Sequence, residues 1–221
     1  MSFIVKILGI VQVTHDVKSF TVEKPPGYTF IPGQATEVSV NRPGMEEERR
    51  PFTFTSLNEV PYLQFTIKRY SDHHGVTDLL HRLQPGDELI IRDVWGAIEY
   101  KGPGYFIAGG AGITPFLSIL RQLYKENKIA GNTLFFSNKT EADIICQTEL
   151  SEILGARAVF ILTKENNPTY RSGYINEQFI RENISDFKKH FYICGPDKMI
   201  ADIAVVLEKF GVAADSVVFE K

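Results

Sequence analysis

Two stretches of this chain combine residue types suited to a charged, flat ligand. In the first, GYFIAGGAGITPFLSIL from Gly104 to Leu120, a short apolar strand runs into glycines at 109, 110 and 112 and then, through Thr114 and Pro115, into an amphipathic helix. Glycine removes Cβ atoms that would block a diphosphate and permits positive φ. Unpaired N–H groups at the helix start face an anion favoured there by the helix dipole, and Pro115 has no N–H to lose in a first helical turn. The run reads GGxGxxP and not the GxGxxG of a dinucleotide turn. Alone it fits a nucleotide site and a tight strand-to-helix turn equally well.

The second stretch is RRPFTFTS, Arg49 to Ser56. On a strand, Arg50, Phe52 and Phe54 share one face while Thr53 and Thr55 share the other. A guanidinium for a phosphate, a ring for a flat ligand and a hydroxyl for its polar edge then lie within four residues. An ordinary edge strand with aromatics in the core and Arg50 in solvent fits as well. Two further motifs follow. Gly75, Val76 and Thr77 start a helical pattern, offering N–H groups to an anion or simple capping. In YICGPDKM, Tyr192 to Met199, a strand ends at Cys194, Gly195 turns, Pro196 opens a helix and Asp197 complements its positive end. Cys194 also fits a buried small thiol.

The elements that must position these motifs have two different periods. Up to about Glu99 the segments Phe3–Val13, Ser19–Val22, Thr36–Val40, Phe52–Thr55, Tyr62–Ile67 and Glu88–Arg92 are rich in β-formers and separated by Pro and Gly. They predict a small antiparallel β-barrel with one helix, Val76–Leu83. After Gly102, strands Tyr105–Ala108, Asn132–Ser137, Ala158–Thr163 and Phe191–Cys194 alternate with helices Thr114–Glu126, Glu141–Leu154, Asn176–Ile184 and Lys198–Phe210. That alternation predicts an α/β doubly wound parallel sheet with ligands at the carboxyl ends of its strands. The expected domains are 1–100 and 101–221, meeting at the Gly102-Pro103-Gly104 cluster.

The 221 residues suit either one large domain or two small ones, and a net charge of -3 gives no electrostatic case for nucleic acid. No stretch reaches the roughly 18 apolar residues of a membrane span, and the alternating start lacks a signal-peptide core. A soluble, cytoplasmic protein is expected, with no membrane partner. Two cysteines supply neither a disulfide framework nor an iron–sulfur ligand set.

The order RPFTFTS, GVTDLL, GGAGITP, CGPDKM resembles the ferredoxin-NADP reductase family of flavoproteins, including its flavodoxin reductase and oxygenase reductase branches, over nearly the whole chain. The resemblance implies an FAD-binding barrel and a nicotinamide nucleotide domain. It implies that Arg50 pairs with the flavin diphosphate, that Phe52 lies against the isoalloxazine, that Thr53 bonds near flavin N5, and that Pro51 belongs to the cofactor-binding set. Gly75, Val76 and Thr77 hold the diphosphate from the other side, and Lys68 and Tyr70 border the adenylate. Gly110, Gly112, Ile113, Thr114 and Pro115 take the nicotinamide nucleotide, with Cys194 and Gly195 beside its ring, Pro196 also in the cofactor-binding set and Glu220 near the hydride path. Phe52 stands where the family more often has Tyr, and the chain ends at Lys221, without the terminal aromatic of plant-type members.

For the nucleotide, Thr163 and Lys164 resemble the pair that reads the 2′-phosphate in NADP-selective members, with Arg171 assisting. NADPH is expected, with NADH as the alternative. The implied activity is hydride transfer from NADPH to FAD, and then electron delivery to a separate acceptor protein such as ferredoxin or flavodoxin. Two alternatives stand beside it: an NAD(P)H:flavin reductase using free flavin, and a non-catalytic subunit of a larger redox complex. Thr53, Cys194 and Glu220 are the expected catalytic-site residues.

Overall fold

The computed structural model describes residues 1–70, 75–96 and 98–219. Strands β1 (Ser2–Thr14), β2 (Val17–Glu23), β3 (Ala35–Val40), β4 (Arg50–Thr53), β5 (Tyr62–Lys68) and β6 (Glu88–Trp95) form an antiparallel sheet in the order β4-β3-β6-β1-β2-β5. A bridge between Phe54 and Phe65 joins the two edge strands, so the sheet closes as a barrel. The long strand β1 serves two neighbours: Ser2–Lys6 pairs with β6, and Ile7–Thr14 pairs with β2. Its period of two is plain, because Val5 and Ile7 are buried while Ile4, Lys6 and Leu8 are exposed.

Phe20, Phe54 and Phe65 fill the barrel core, each contributing about 1.5–3 kcal/mol by burial. Phe30 stacks on Phe54 with ring centroids 4.2 Å apart. Helix α1 (Val76–Leu80) adds Val76 and Leu80 to the same core. It stops short of the expected Leu83, because the chain turns at Gln84-Pro85-Gly86 and Gly86 takes a φ of 97°. Leu83 is buried all the same.

The second sheet comprises β7 (Gly104–Gly109), β8 (Thr133–Asn138), β9 (Ala158–Leu162), β10 (Arg171–Ser172), β11 (His190–Cys194) and β12 (Val217–Phe219), in the order β10-β9-β8-β7-β11-β12. Its pairings are parallel. Helices α2 (Thr114–Lys125) and α3 (Gln147–Leu154) pack on one face, where Phe116, Leu120 and Leu150 meet Phe106, Ala108 and Phe136. Helices α4 (Glu177–Asn183) and α5 (Asp197–Lys209) cover the other, where Ile180, Ile203 and Leu207 meet Tyr105, Ile107 and Phe135. Alternate residues of one strand thus face opposite apolar layers, which is why these strands read as unbroken hydrophobic runs.

Two further features differ from the sequence expectation. The helix predicted over Glu141–Leu154 is broken: a short 3₁₀ turn, Glu141–Asp143, is closed by a capping box between Thr140 and Asp143, and α3 starts only at Gln147. Between them Ile144 and Ile145 turn inward to the core, and Cys146 adopts a left-handed φ of 53°. The strands β10 and β12, of two and three residues, carry too few residues to show a period. The segment between the sheets is held tightly, because Tyr192 Oη accepts from Lys101 N and Gly102 N at 2.9 and 3.0 Å.

Candidate functional site

Strand β4 and the start of α2 meet across a cavity of about 210 Å³. The barrel side is formed by Pro51, Phe52 and Thr53, by Thr66, Ile67 and Lys68 of β5, and by Tyr70 and Thr77 beyond it. The α/β side is formed by Ala111 and Thr114 of the glycine turn. β4 reaches the cavity because it is an edge strand paired only with β3, through Ala35–Thr53 and Thr36–Phe52. Phe52 is half-buried against the barrel core, and the Thr53 side chain makes no hydrogen bond among the described residues. The wall therefore offers two aromatic rings, four threonine hydroxyls and one ammonium, and the described lining holds no carboxylate.

That ammonium has a partner. Lys68 Nζ lies 2.7 Å from Asp16 Oδ2, on the β1–β2 hairpin. Burial alone would push the Asp16 carboxyl up, but the Lys68 pair overrides it and holds the group below the usual carboxylate value. Tyr70 is exposed, and its backbone N–H donates to Thr77 Oγ1 at 3.3 Å. Val76 is buried in the barrel core, so only its backbone is open to a ligand, and Gly75 has no atom within 4 Å of where a Cβ would stand. Arg50 is exposed at the first position of β4, outside the cavity lining, and donates to the Arg49 carbonyl at 2.6 Å. It has no ion pair among the described residues, whereas Arg49 is held by Glu37 and Glu47.

The glycines of the turn do different work. Gly110 takes a φ of 52° with open space where a Cβ would point, a conformation that costs other residues about 1–2 kcal/mol. Gly109 has a φ of -126° and is required instead by contact, since its Cβ would stand 2.8 Å from Met199 Sδ. Gly112 is the tightest, with a Cβ position 2.2 Å from the Cys194 carbonyl oxygen. The turn is a 3₁₀ segment, Gly110–Ile113, that leads into α2 with Pro115 in its first turn. Ile113 is wholly buried in the core, so its side chain anchors the turn.

Cys194 ends β11, paired with Ala108 of β7, and is buried. A Cβ on Gly195 would stand 3.0 Å from Gly109 N, and Pro196 caps α5. The GGAGITP and CGPDKM motifs, far apart in sequence, are therefore in van der Waals contact. Thr163 and Lys164 follow β9: Thr163 Oγ1 donates to the Asn138 carbonyl at 3.2 Å, while Lys164 and Arg171 are exposed and have no ion pair among the described residues. Acidic groups share this edge, with Glu165 Oε2 accepting from Glu141 N at 2.7 Å. Glu220 lies outside the described residues.

With this geometry established, relatives can be compared. Residues 106–204 match the oxidoreductase NAD-binding domain family. The chain is 25% identical over 98% of its length to the reductase component of propane 2-monooxygenase from Rhodococcus jostii. It is 28% identical over 94% of its length to the glycine betaine monooxygenase reductase subunit of Chromohalobacter salexigens. It spans 62% and 60% of those two proteins' own lengths. A ferredoxin NADP+ reductase from Neisseria gonorrhoeae, solved with bound FAD and NADP, superposes with a TM-score of 0.87 at 22% identity, covering 99% of this chain and 98% of that one. Residues 106–204 thus carry an oxidoreductase NAD-binding domain, and the chain as a whole has the fold of that reductase. The strand order and the two-sheet architecture agree with that fold.

Several residues of this reductase-like site escaped the sequence reading. Thr66 and Ile67 reach the cavity because β5 closes the barrel beside β4, a pairing with no local signal. Asp78 is almost fully covered, and Arg69 Nε and Arg82 Nη2 approach it at 2.7 and 2.5 Å. Arg69, followed by Arg82, holds that carboxyl below its usual value. The i, i+4 spacing of Asp78 and Arg82 was the available signal. Among the described residues no helix is long and apolar enough to cross a membrane.

Proposed function

We propose that the protein is an FAD-dependent reductase that draws electrons from NADPH and passes them to a separate acceptor protein. The observation that supports this reading most is the cavity formed jointly by the Pro51-Phe52-Thr53 strand and the Ala111–Thr114 turn. Its rings and hydroxyls, with no carboxylate in the described lining, fit a flat heteroaromatic ligand with a polar edge and a phosphorylated tail. When bound, the flavin supplies the chemistry, accepting a hydride from the nicotinamide and releasing electrons onward.

The chain's own residues contribute placement. Phe52 gives a face for the ring system, and the Thr53 hydroxyl is a donor at its edge. Arg50, with no ion pair among the described residues, supplies charge for the diphosphate together with the backbone of Gly75, Val76 and Thr77. Lys68 and Tyr70 border the adenylate. Gly110 leaves space for the nucleotide to approach the turn, with Gly112, Ile113, Thr114 and Pro115 forming its floor. Cys194, Gly195 and Pro196 hold the nicotinamide side.

Lys164 and Arg171, exposed without described ion pairs, favour a 2′-phosphate, as point charge and fork respectively. Comparing kcat/KM for NADPH and NADH checks this. A preference for NADH of about tenfold, roughly 1.4 kcal/mol, would reverse the assignment. The acceptor is a separate protein of the ferredoxin, flavodoxin or oxygenase-component kind, in keeping with the reductase components among the relatives. A second reading, flavin as a dissociable substrate, is favoured by Phe52, whose ring lacks the phenolic bond of Tyr. Yellow colour that survives dialysis supports tight FAD. Colour lost on dialysis, with NADPH-dependent turnover restored by added flavin, supports the second reading. Absence of turnover with FAD, NADPH and an artificial acceptor overturns both in favour of a non-catalytic subunit.

A further inference from the structure

Helix α2 carries the glycine turn at its start and then runs along the barrel, where, among the described residues, Ser118, Arg121 and Lys125 make polar contacts with it. Ser118 Oγ accepts from Gly33 N at 3.1 Å in a buried contact. Arg121 Nη1 donates to the Thr55 carbonyl and, at 3.2 Å, to Gln64 Oε1. Lys125 pairs with Glu59 at the exposed end. Only Arg121 also grips a second helix, because its Nε and Nη2 meet the two oxygens of Glu149 on α3 at 2.6 and 2.8 Å.

The guanidinium is therefore fully engaged at the seam between the halves, with its side chain only 20% exposed. Burial alone would lower its pKa, but the Glu149 pair raises it, so it stays charged. Its barrel-side partners lead directly to the cavity. Thr55 follows Thr53 by two residues, and Thr55 Oγ1 lies 3.2 Å from both Gln64 Oε1 and Thr66 Oγ1. Thr53 and Thr66 both line the cavity.

We propose that Arg121 is a positioning residue that fixes the separation between the glycine turn and the β4 wall by tying α2 and α3 to the Thr55 carbonyl and Gln64. The inference rests on the reading of the cavity as a flavin site facing a nucleotide turn. Lysine cannot replace the fork, because it offers a point charge where Arg121 makes bonds in two directions. The exposed Lys125–Glu59 pair on the same helix is the internal comparison.

The test uses the full-length protein loaded with FAD. Flavin reduction is followed anaerobically by stopped flow at saturating NADPH, together with NADPH binding and the charge-transfer absorbance of the nicotinamide–flavin pair. Displacement of the reacting groups by about 1 Å costs on the order of 100-fold. Arg121→Met is expected to slow reduction by ~10- to 100-fold, weaken the charge-transfer band and leave NADPH affinity nearly unchanged. Arg121→Lys should recover part of the rate, and Lys125→Met should match the wild type. Without flavin, Arg121→Met should speed amide exchange across residues 33–34 and 53–56.

Wild-type rate and charge-transfer band in folded Arg121→Met overturn the proposal. Should that variant fail to fold, Gln64→Leu, which leaves the Glu149 pair intact, must show the same direction of change, and an unaltered rate there overturns it. Failure of the wild type to be reduced at all refutes the flavin reading separately. The exchange comparison then decides alone whether Arg121 holds the seam, and unchanged exchange counts against it.

Discussion

Gly112→Ala is the substitution that most directly tests the junction between the two nucleotide motifs. The added Cβ would stand 2.2 Å from the Cys194 carbonyl oxygen, 2.4 Å from its carbon and 2.6 Å from Gly195 N. These are backbone atoms of a central parallel strand and the turn after it, so they cannot swing aside as a flexible side chain would. Real Cβ atoms essentially never come closer than 3.0 Å, so either the turn or β11 must retreat by at least about 0.8 Å. Overpacking of this kind costs about 1–3 kcal/mol or more. For a chain of this size that is a fall in Tm of roughly 2–12 °C. Thermal unfolding of the purified protein measures it, and NADPH binding should weaken in parallel, because the turn and CGPDKM separate. Gly110→Ala is the matched comparison. Its φ of 52° costs stability, but the methyl enters open space. It should therefore destabilise less than Gly112→Ala while still obstructing the nucleotide. A Gly112→Ala protein with the Tm and NADPH affinity of the wild type would refute the reasoning.

Three further outcomes are expected. Thr53→Ala, which removes a cavity-lining hydroxyl, should slow flavin reduction by about tenfold, equal to roughly 1.4 kcal/mol, with NADPH affinity almost intact; stopped-flow reduction checks this, and an unchanged rate removes Thr53 from the mechanism. Because Lys68 holds the Asp16 carboxyl below its unfolded value, the pair stabilises the fold above about pH 4 and is lost as pH falls further. Asp16→Asn should lower stability at neutral pH by up to about 1 kcal/mol, since the pair is part-exposed, and the Tm gap to the wild type should close in acid. Burial, with Glu149 adding to it, pushes the Cys146 thiol up to about 11 from 9.0. Near neutral pH its thiolate fraction falls ~100-fold. Peptide mapping after thiol labelling should find Cys146 unmodified until the protein is denatured.

The fold was legible where local rules and the global structure agree. The run of β-forming residues from Phe3 to Val13 marked β1. The GGAGITP and CGPDKM motifs pointed to the carboxyl edge of the second sheet, where they meet through Gly112 and the Cys194 carbonyl. What stayed hidden depended on contacts distant in sequence. Nothing near Arg121 in the chain announces Thr55, 66 residues away. The broken helix at Cys146 follows from two consecutive isoleucines drawn into the core, an effect that helical spacing alone does not register. The glycine count of the turn was readable, but the division of labour was not. Only Gly110 needs a positive φ, while Gly109 and Gly112 yield room to Met199 and Cys194.

The central claim is that one cavity, built from the Phe52–Thr53 strand and the Ala111–Thr114 turn, brings a nicotinamide nucleotide to a flavin. Anaerobic mixing of the FAD-loaded protein with NADPH, followed in the visible flavin band, tests it most directly. The account predicts rapid bleaching by NADPH that is slowed in Thr53→Ala and weakened in its NADPH dependence by Gly112→Ala. An FAD-loaded protein whose flavin band is untouched by both NADPH and NADH would contradict it.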